Sequence, residues 1–143
     1  SSYKGYRVNE RLRNRSRKIE NILIMSKRFK ELNRLVIDWA NEKGILEKAT
    51  PLAQIEKTIE EVSETKMALL AQSHDLKEYT NLKQNRVNTR EEIIDGDADI
   101  LENVLIGCNM QNIDPLEALE SAYNVISKRT GKMINGQFVK DEN

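Results

Sequence analysis

Apolar residues at Ile22, Met25, Phe29, Leu32, Val36 and Trp39 recur every three or four positions, the period of one helix face. The spacing predicts a first helix over about residues 19–43, with Gly44 as its C-terminal stop. Val8, Leu12 and Ile19 continue the stripe backwards, so residues 1–27 read either as a basic arm or as an extension of that helix. Thr50-Pro51 supplies an N-cap followed by a first-turn proline. A second helix then carries Leu52, Ile55, Ile59, Val62 and Leu69 to about Ala71. Residues 73–88 are polar, rich in Asn, Lys and Gln, and read as a connection with room for a turn of helix. Thr89-Arg-Glu-Glu92 has the form of a capping box and opens a third helix. That helix runs to about Met110 through Ile93, Ile100, Leu101, Val104, Leu105 and Cys108. Asp114-Pro115 opens a fourth, ending near Arg129, with Leu116, Leu119, Tyr123 and Ile126 as its inward residues. Asn135-Gly136 between apolar residues is a strong hairpin signal, and a lone two-stranded ribbon must dock to be stable. The pattern predicts an all-α four-helix bundle with a basic N-terminal arm and a short hairpin-like tail.

Composition narrows the chemistry. A chain of 143 residues fits one domain with a core. Its single cysteine, Cys108, excludes a disulfide framework or a thiolate zinc site within one chain, and reads as a small buried hydrophobe. One histidine, His74, leaves no His-rich metal site. No apolar run reaches the roughly 18 residues of a membrane span and no signal peptide stands out, so the expectation is a cytoplasmic, reduced setting without membrane. Net charge is zero but unevenly spread. Residues 1–18 carry seven Lys/Arg against Glu10, and residues 89–120 carry nine acids against Arg90. Such a division serves a nucleic acid bound through the arm, or pairing of basic and acidic regions within or between subunits.

The acids themselves fall into two clusters, Glu60-Glu61-Val-Ser-Glu64 and Asp95-Gly-Asp97-Ala-Asp99-Ile-Leu-Glu102. On helices, Glu61 and Glu64 share one face, as do Asp95, Asp99 and Glu102, while Asp97 points away. Like charges at these spacings each weaken an isolated helix by roughly 0.2–0.5 kcal/mol. Some acids have local roles: Glu92 in the capping box, Asp114 as a cap, Glu91 at the helix dipole. The mid-helix stripes do not. An oxygen-only cluster suits Mg²⁺ or Mn²⁺; solvated helix faces, with Lys57 as an ordinary partner of Glu61, are the plain alternative.

Leu35-Val-Ile-Asp-Trp39-Ala, Gly44 and Thr50-Pro51-x-x-Gln54-x-x-Lys57-x-x-Glu60-Glu61-x-x-Glu64 resemble the first half of the MazG-like nucleoside triphosphate pyrophosphohydrolases. Asp95-Gly96-x-x-Asp99-Ile-Leu, Asn112-Ile-Asp114, Ala122-Tyr123-Asn124 and Lys128-Arg129-x-Gly131-Lys132-Met133 resemble the second half. The likeness is to the short, single-domain versions common in bacteriophages. It covers about residues 29–140, which divides the chain into an arm, 1–27, and a helical domain, 28–143.

The resemblance implies Mg²⁺-dependent hydrolysis of a (deoxy)nucleoside triphosphate to the monophosphate and pyrophosphate, with Mn²⁺ as a substitute metal. It implies Glu61, Glu64 and Asp99 as metal ligands, and Glu60 or a ligand such as Glu61 as acceptor of the water's proton. The family's second motif is Glu-x-x-Asp, and Gly96 stands where its glutamate belongs. Asp95, one turn before Asp99, takes the fourth place, with Glu102 one turn on as the other candidate. Lys57, Asn124 and Arg129 are the implied substrate contacts, and Trp39 and Gln54 line a nucleobase pocket. Core packing for Trp39 and helix-end complementation for Arg129 are their ordinary alternatives. No glycine-rich phosphate loop is present, so metal and side chains must hold the phosphates, and a homodimer or homotetramer is expected to complete the pocket. Specificity for dUTP, dCTP or phosphoribosyl-ATP, and a non-enzymatic phage DNA-binding or adaptor role, are the alternatives.

Overall fold

The structure, a computed structural model, describes residues 2–142, and side chains from residue 8 onward. The chain forms two compact units, residues 1–47 and 48–143. In the first, α1 is one helix of 41 residues, Ser2–Glu42, so the basic segment continues the helix. Gly44 ends it as expected, at φ 78°, with its N–H on the Asn41 carbonyl at 3.0 Å. A short helix, α2 (Ile45–Lys48), follows.

In the second unit, α3 (Pro51–Ser73) starts at Thr50, whose hydroxyl accepts the Ala53 N–H at 3.1 Å. Its partner α4 (Thr89–Met110) runs antiparallel: Gln54 meets Asn103 late in α4, while Thr65 meets Gly96 near its start. The seam between them is made mostly of small and polar residues, with Ile93 and Ile106 as its large apolar ones. Gln54, Thr58, Thr65, Ala68 and Ala71 are the buried positions of α3, and Thr89, Ile93, Gly96, Asn103 and Ile106 those of α4. Buried hydroxyls need partners. Thr58 donates to the Gln54 carbonyl at 3.0 Å and Thr65 to the Glu61 carbonyl at 2.7 Å. At Gly96 the helices come so close that any Cβ would overlap Thr65 Oγ1. The stripe the periodicity assigns to the core, Leu52, Ile55, Ile59, Val62 and Leu69, lies on the outside, 47–68% exposed.

Residues 73–88 correct the expectation of a polar connection. They hold a hairpin, β1 (Glu78–Thr80) and β2 (Arg86–Asn88), paired antiparallel with Tyr79 opposite Val87. Tyr79 joins Ala68, Ala71 and Ile93 in a buried apolar cluster, with Met67 and Val87 packed on it. The capping box is also corrected. Asn88 is the cap of α4, accepting the Glu91 N–H at 3.0 Å, while Thr89 is buried and donates its hydroxyl to the Leu76 carbonyl at 2.7 Å.

Asp114 caps α5 (Pro115–Ile126) as expected, accepting from the Leu116 and Glu117 amides at 2.9 and 3.3 Å. The helix ends at Ile126, short of Arg129, and buries no residue. Leu119, Tyr123 and Ile126 are more than half exposed, not inward. The tail forms the expected hairpin, β3 (Gly131–Ile134) and β4 (Gln137–Lys140), turned by Asn135 and Gly136 at φ 50° and 78°. All its strand residues are exposed. The chain is thus mostly helical with two antiparallel hairpins, not an all-α four-helix bundle. None of its described helices is long and apolar enough to cross a membrane.

Candidate acidic site

α3 and α4 place their two acid clusters along one edge of the seam. Glu61 is the most enclosed of the α3 acids, with 13% of its side chain exposed against 35% for Glu64 and 52% for Glu60. Burial pushes the Glu61 carboxyl above its ordinary range, and the negative charges of Asp99 and Glu64 push it further. Lys57 acts against this, one turn earlier on α3. Its ammonium lies 3.6 Å from Glu61 and donates a hydrogen bond to Glu60 at 3.3 Å. Chiefly through that bond the lysine's own pKa is raised. The expected ion pair of Lys57 with Glu61 is therefore present, and Glu60 shares it.

On α4, Asp99 is half-buried and faces Glu61 across the seam. Its backbone is fixed by Asn103, whose Nδ2 donates to the Asp99 carbonyl at 2.8 Å. Gln54 Nε2 donates in turn to Asn103 Oδ1, so the residue expected at a nucleobase pocket is a buried tie between α3 and α4. Glu102, half-buried, has its carboxyl raised by burial and then by Asp99. Asp95 and Asp97 are both exposed. At Gly96, between Asp95 and Asp97, α4 touches Thr65, and a Cβ there would overlap the threonine hydroxyl.

Two participants escape a reading by spacing. Lys83, in the turn between β1 and β2, lies 3.8 Å from Glu64. Glu92, two turns before Asp99 on α4, borders a cavity together with Glu64. Lys57 and Lys83 draw Glu61 and Glu64 towards opposite ends of α3. Among the described residues, no three Asp, Glu, His or Cys side chains converge closely enough to hold one metal ion. The donor chemistry of Glu61, Glu64 and Asp99, oxygen alone on two facing helices, is nonetheless of the kind that suits Mg²⁺ or Mn²⁺.

The remaining candidates lie elsewhere. Asn124 is exposed on α5, its carbonyl accepting the Ser127 hydroxyl at 3.4 Å, and Arg129 follows the helix, exposed. Trp39 belongs to α1, in the other unit, with 43% of its surface exposed. Cys108 is half-buried and free. No protein-family model, curated protein or solved structure matches the chain.

Proposed function

We propose that the chain is a Mg²⁺-dependent nucleoside triphosphate pyrophosphohydrolase of the MazG-like kind, cleaving (d)NTP to (d)NMP and pyrophosphate. The observation that carries this reading is Glu61. It is a mid-helix acid held in a half-buried position beside Asp99 and Glu64, a burial and like-charge repulsion that Lys57 offsets in part and a bound cation would offset further. Glu61, Glu64 and Asp99 would hold the ion, with Mn²⁺ able to replace Mg²⁺. Glu102, pressed by burial and by Asp99, is better placed than exposed Asp95 to add a fourth carboxylate. When bound, the metal neutralises phosphate charge and lowers the pKa of a water. Lys57, beside Glu60 and Glu61 at the edge of the site, would bind phosphate oxygen. Glu60, exposed and one residue away, accepts the proton of the attacking water. Asn124 of α5 and Arg129, which follows that helix, would contact substrate.

The outer stripe of α3 supports self-association. Five large apolar residues in a row, each at least 47% exposed, make an unusually apolar surface for a monomer. In a homodimer or homotetramer, α3 and α4 of two copies would complete a four-helix bundle and enclose the nucleotide. The test is direct: the protein is incubated with the eight common nucleoside triphosphates, with and without Mg²⁺, and pyrophosphate is measured. Metal-dependent release from at least one of them is expected, and none from any would end the enzyme reading. A second reading, nucleic-acid binding, has its own observation in the exposed Arg11, Arg13, Arg15, Arg17 and Lys18, spread around α1. It predicts binding that weakens steeply with salt and no turnover.

A further inference from the structure

The β1–β2 hairpin does more than cover the end of the α3–α4 seam. Between it and the two helices lies a cavity of about 290 Å³, close to the lower bound of roughly 300 Å³ for small-molecule sites. Its apolar lining is Met67, Tyr79, Leu82 and Val87, and its polar lining is Asn81, Lys83 and Asn85 of the turn with Glu64 and Glu92 of the two helices. The turn is built to hold this shape. Asn81 donates its N–H to the Asn85 carbonyl and accepts the Asn85 N–H on its Oδ1, both at 2.9 Å, while Gln84 adopts a φ of 64°. Those bonds occupy Asn81 Oδ1, leaving its NH₂ and the whole Asn85 amide without a side-chain partner among the described residues.

Glu64 belongs both to this cavity and to the acid stripe, and Lys83 stands over it at 3.8 Å. A ligand in the cavity therefore has one end between apolar side chains and amide groups, and the other at a lysine and the stripe. Amides with a donor and an acceptor match the edge of a nucleobase, and the apolar wall matches its face. The lysine matches a phosphate.

Resting on the enzyme reading above, we propose that this hairpin pocket is the nucleoside site. Asn81 and Asn85 read the base edge, and Lys83 leaves Glu64 to bind the phosphate next to the sugar. Burial and the charges of Glu92 and Glu64 push the Tyr79 phenol up, so its hydroxyl stays a donor in the pocket wall.

The experiment uses the full chain, without Mg²⁺, titrated with the four ribonucleoside 5′-monophosphates, the corresponding nucleosides and inorganic phosphate, and followed by ¹H–¹⁵N NMR. Shifts are expected at residues 79–87 and at Glu64 and Met67. Lys83→Met should weaken the monophosphates about tenfold or more while leaving the uncharged nucleosides unchanged. Asn85→Ala should change the ranking of the four bases. A cross-strand Tyr79–Val87 contact in both variants establishes that the hairpin is intact. Shifts confined to other regions, or unchanged affinities and ranking in both variants, would overturn the assignment. Pyrophosphate release separates the two ideas. Turnover with binding elsewhere leaves the enzyme reading and removes the pocket, whereas hairpin binding without turnover keeps the pocket and removes the enzyme.

Discussion

The two faces of α3 are opposite in kind. The face against α4 carries Gln54, Thr58, Thr65 and Ala68, and the outer face carries Leu52, Ile55, Ile59, Val62 and Leu69. Hydropathy alone would exchange them. What decides is size: Gly96 and Thr65 let the helix backbones approach there, and α3 has room in the seam only for small or polar side chains, with Ile93 and Ile106 of α4 as the large apolar ones. The polar residues inside are tolerated because each buried group has a partner, in the helix carbonyls or in the Gln54–Asn103 tie. The acids sit at the border between the faces, half-shielded by the seam and half-open to a ligand.

The sharpest way to test that border is to remove its charge without changing its volume. Glu61→Gln and Asp99→Asn should each reduce pyrophosphate release by far more than tenfold, the factor that corresponds to about 1.4 kcal/mol, with the far-ultraviolet helical signal unchanged. Either variant keeping more than a tenth of the activity removes that residue from the metal site.

The outer face is tested next. Ile59→Lys puts a charge in the middle of the exposed stripe. If copies meet there, the variant should sediment as a monomer, since each apolar side chain buried in such a contact contributes about 1.5–3 kcal/mol. An unchanged sedimentation coefficient would show that the stripe is not an interface.

The inner face is broken by Gly96→Ala. A helix interior normally gains about 1 kcal/mol from this change. Here the new methyl meets Thr65 Oγ1, and overpacking of that kind costs about 1–3 kcal/mol. We expect a lower midpoint in urea, restored when Thr65→Ala is added to the same chain. A more stable single variant would mean the seam is looser than described.

The smallest effect is one of pH. Glu61 and Glu102 have folded-state carboxyls raised above the ordinary value of 4.5, so the folded protein holds their protons more tightly than the unfolded chain. Stability without metal should therefore rise as pH falls through those raised values towards 4.5, and that gain is lost as pH rises through them. The melting temperature of wild type, compared with Glu61→Gln between pH 7 and 5, isolates the Glu61 share. A wild-type curve parallel to that of the variant would contradict the like-charge account.

Local chemistry was legible in the sequence wherever it acts within a few residues. Thr50, Asp114, Gly44 and Asn135-Gly136 mark ends and turns that the structure has, because caps and left-handed turns depend on the residue itself. Thr89 was misread because Asn88 beside it is an equally good cap, and only the distant Leu76 carbonyl decides between them. The β1–β2 hairpin left little trace. Its strands are three residues long, each with one inward side chain, Tyr79 and Val87, so there is no alternation to find. Helical spacing brought out Glu61, Glu64, Asp99 and Glu102, which the structure gathers along one edge. It could not bring out Lys83, which reaches Glu64 only because that hairpin folds back.

The contact between Gly96 and Thr65 also constrains how this chain can change over generations. A side chain at position 96 is penalised in any lineage that keeps Thr65, because its Cβ would enter the space of the hydroxyl. The less costly order is for position 65 to shrink first and position 96 to grow afterwards. Until then, a new carboxylate enters the stripe only from a neighbouring turn of α4. Glu92 and Glu102, both half-buried, already stand at those turns.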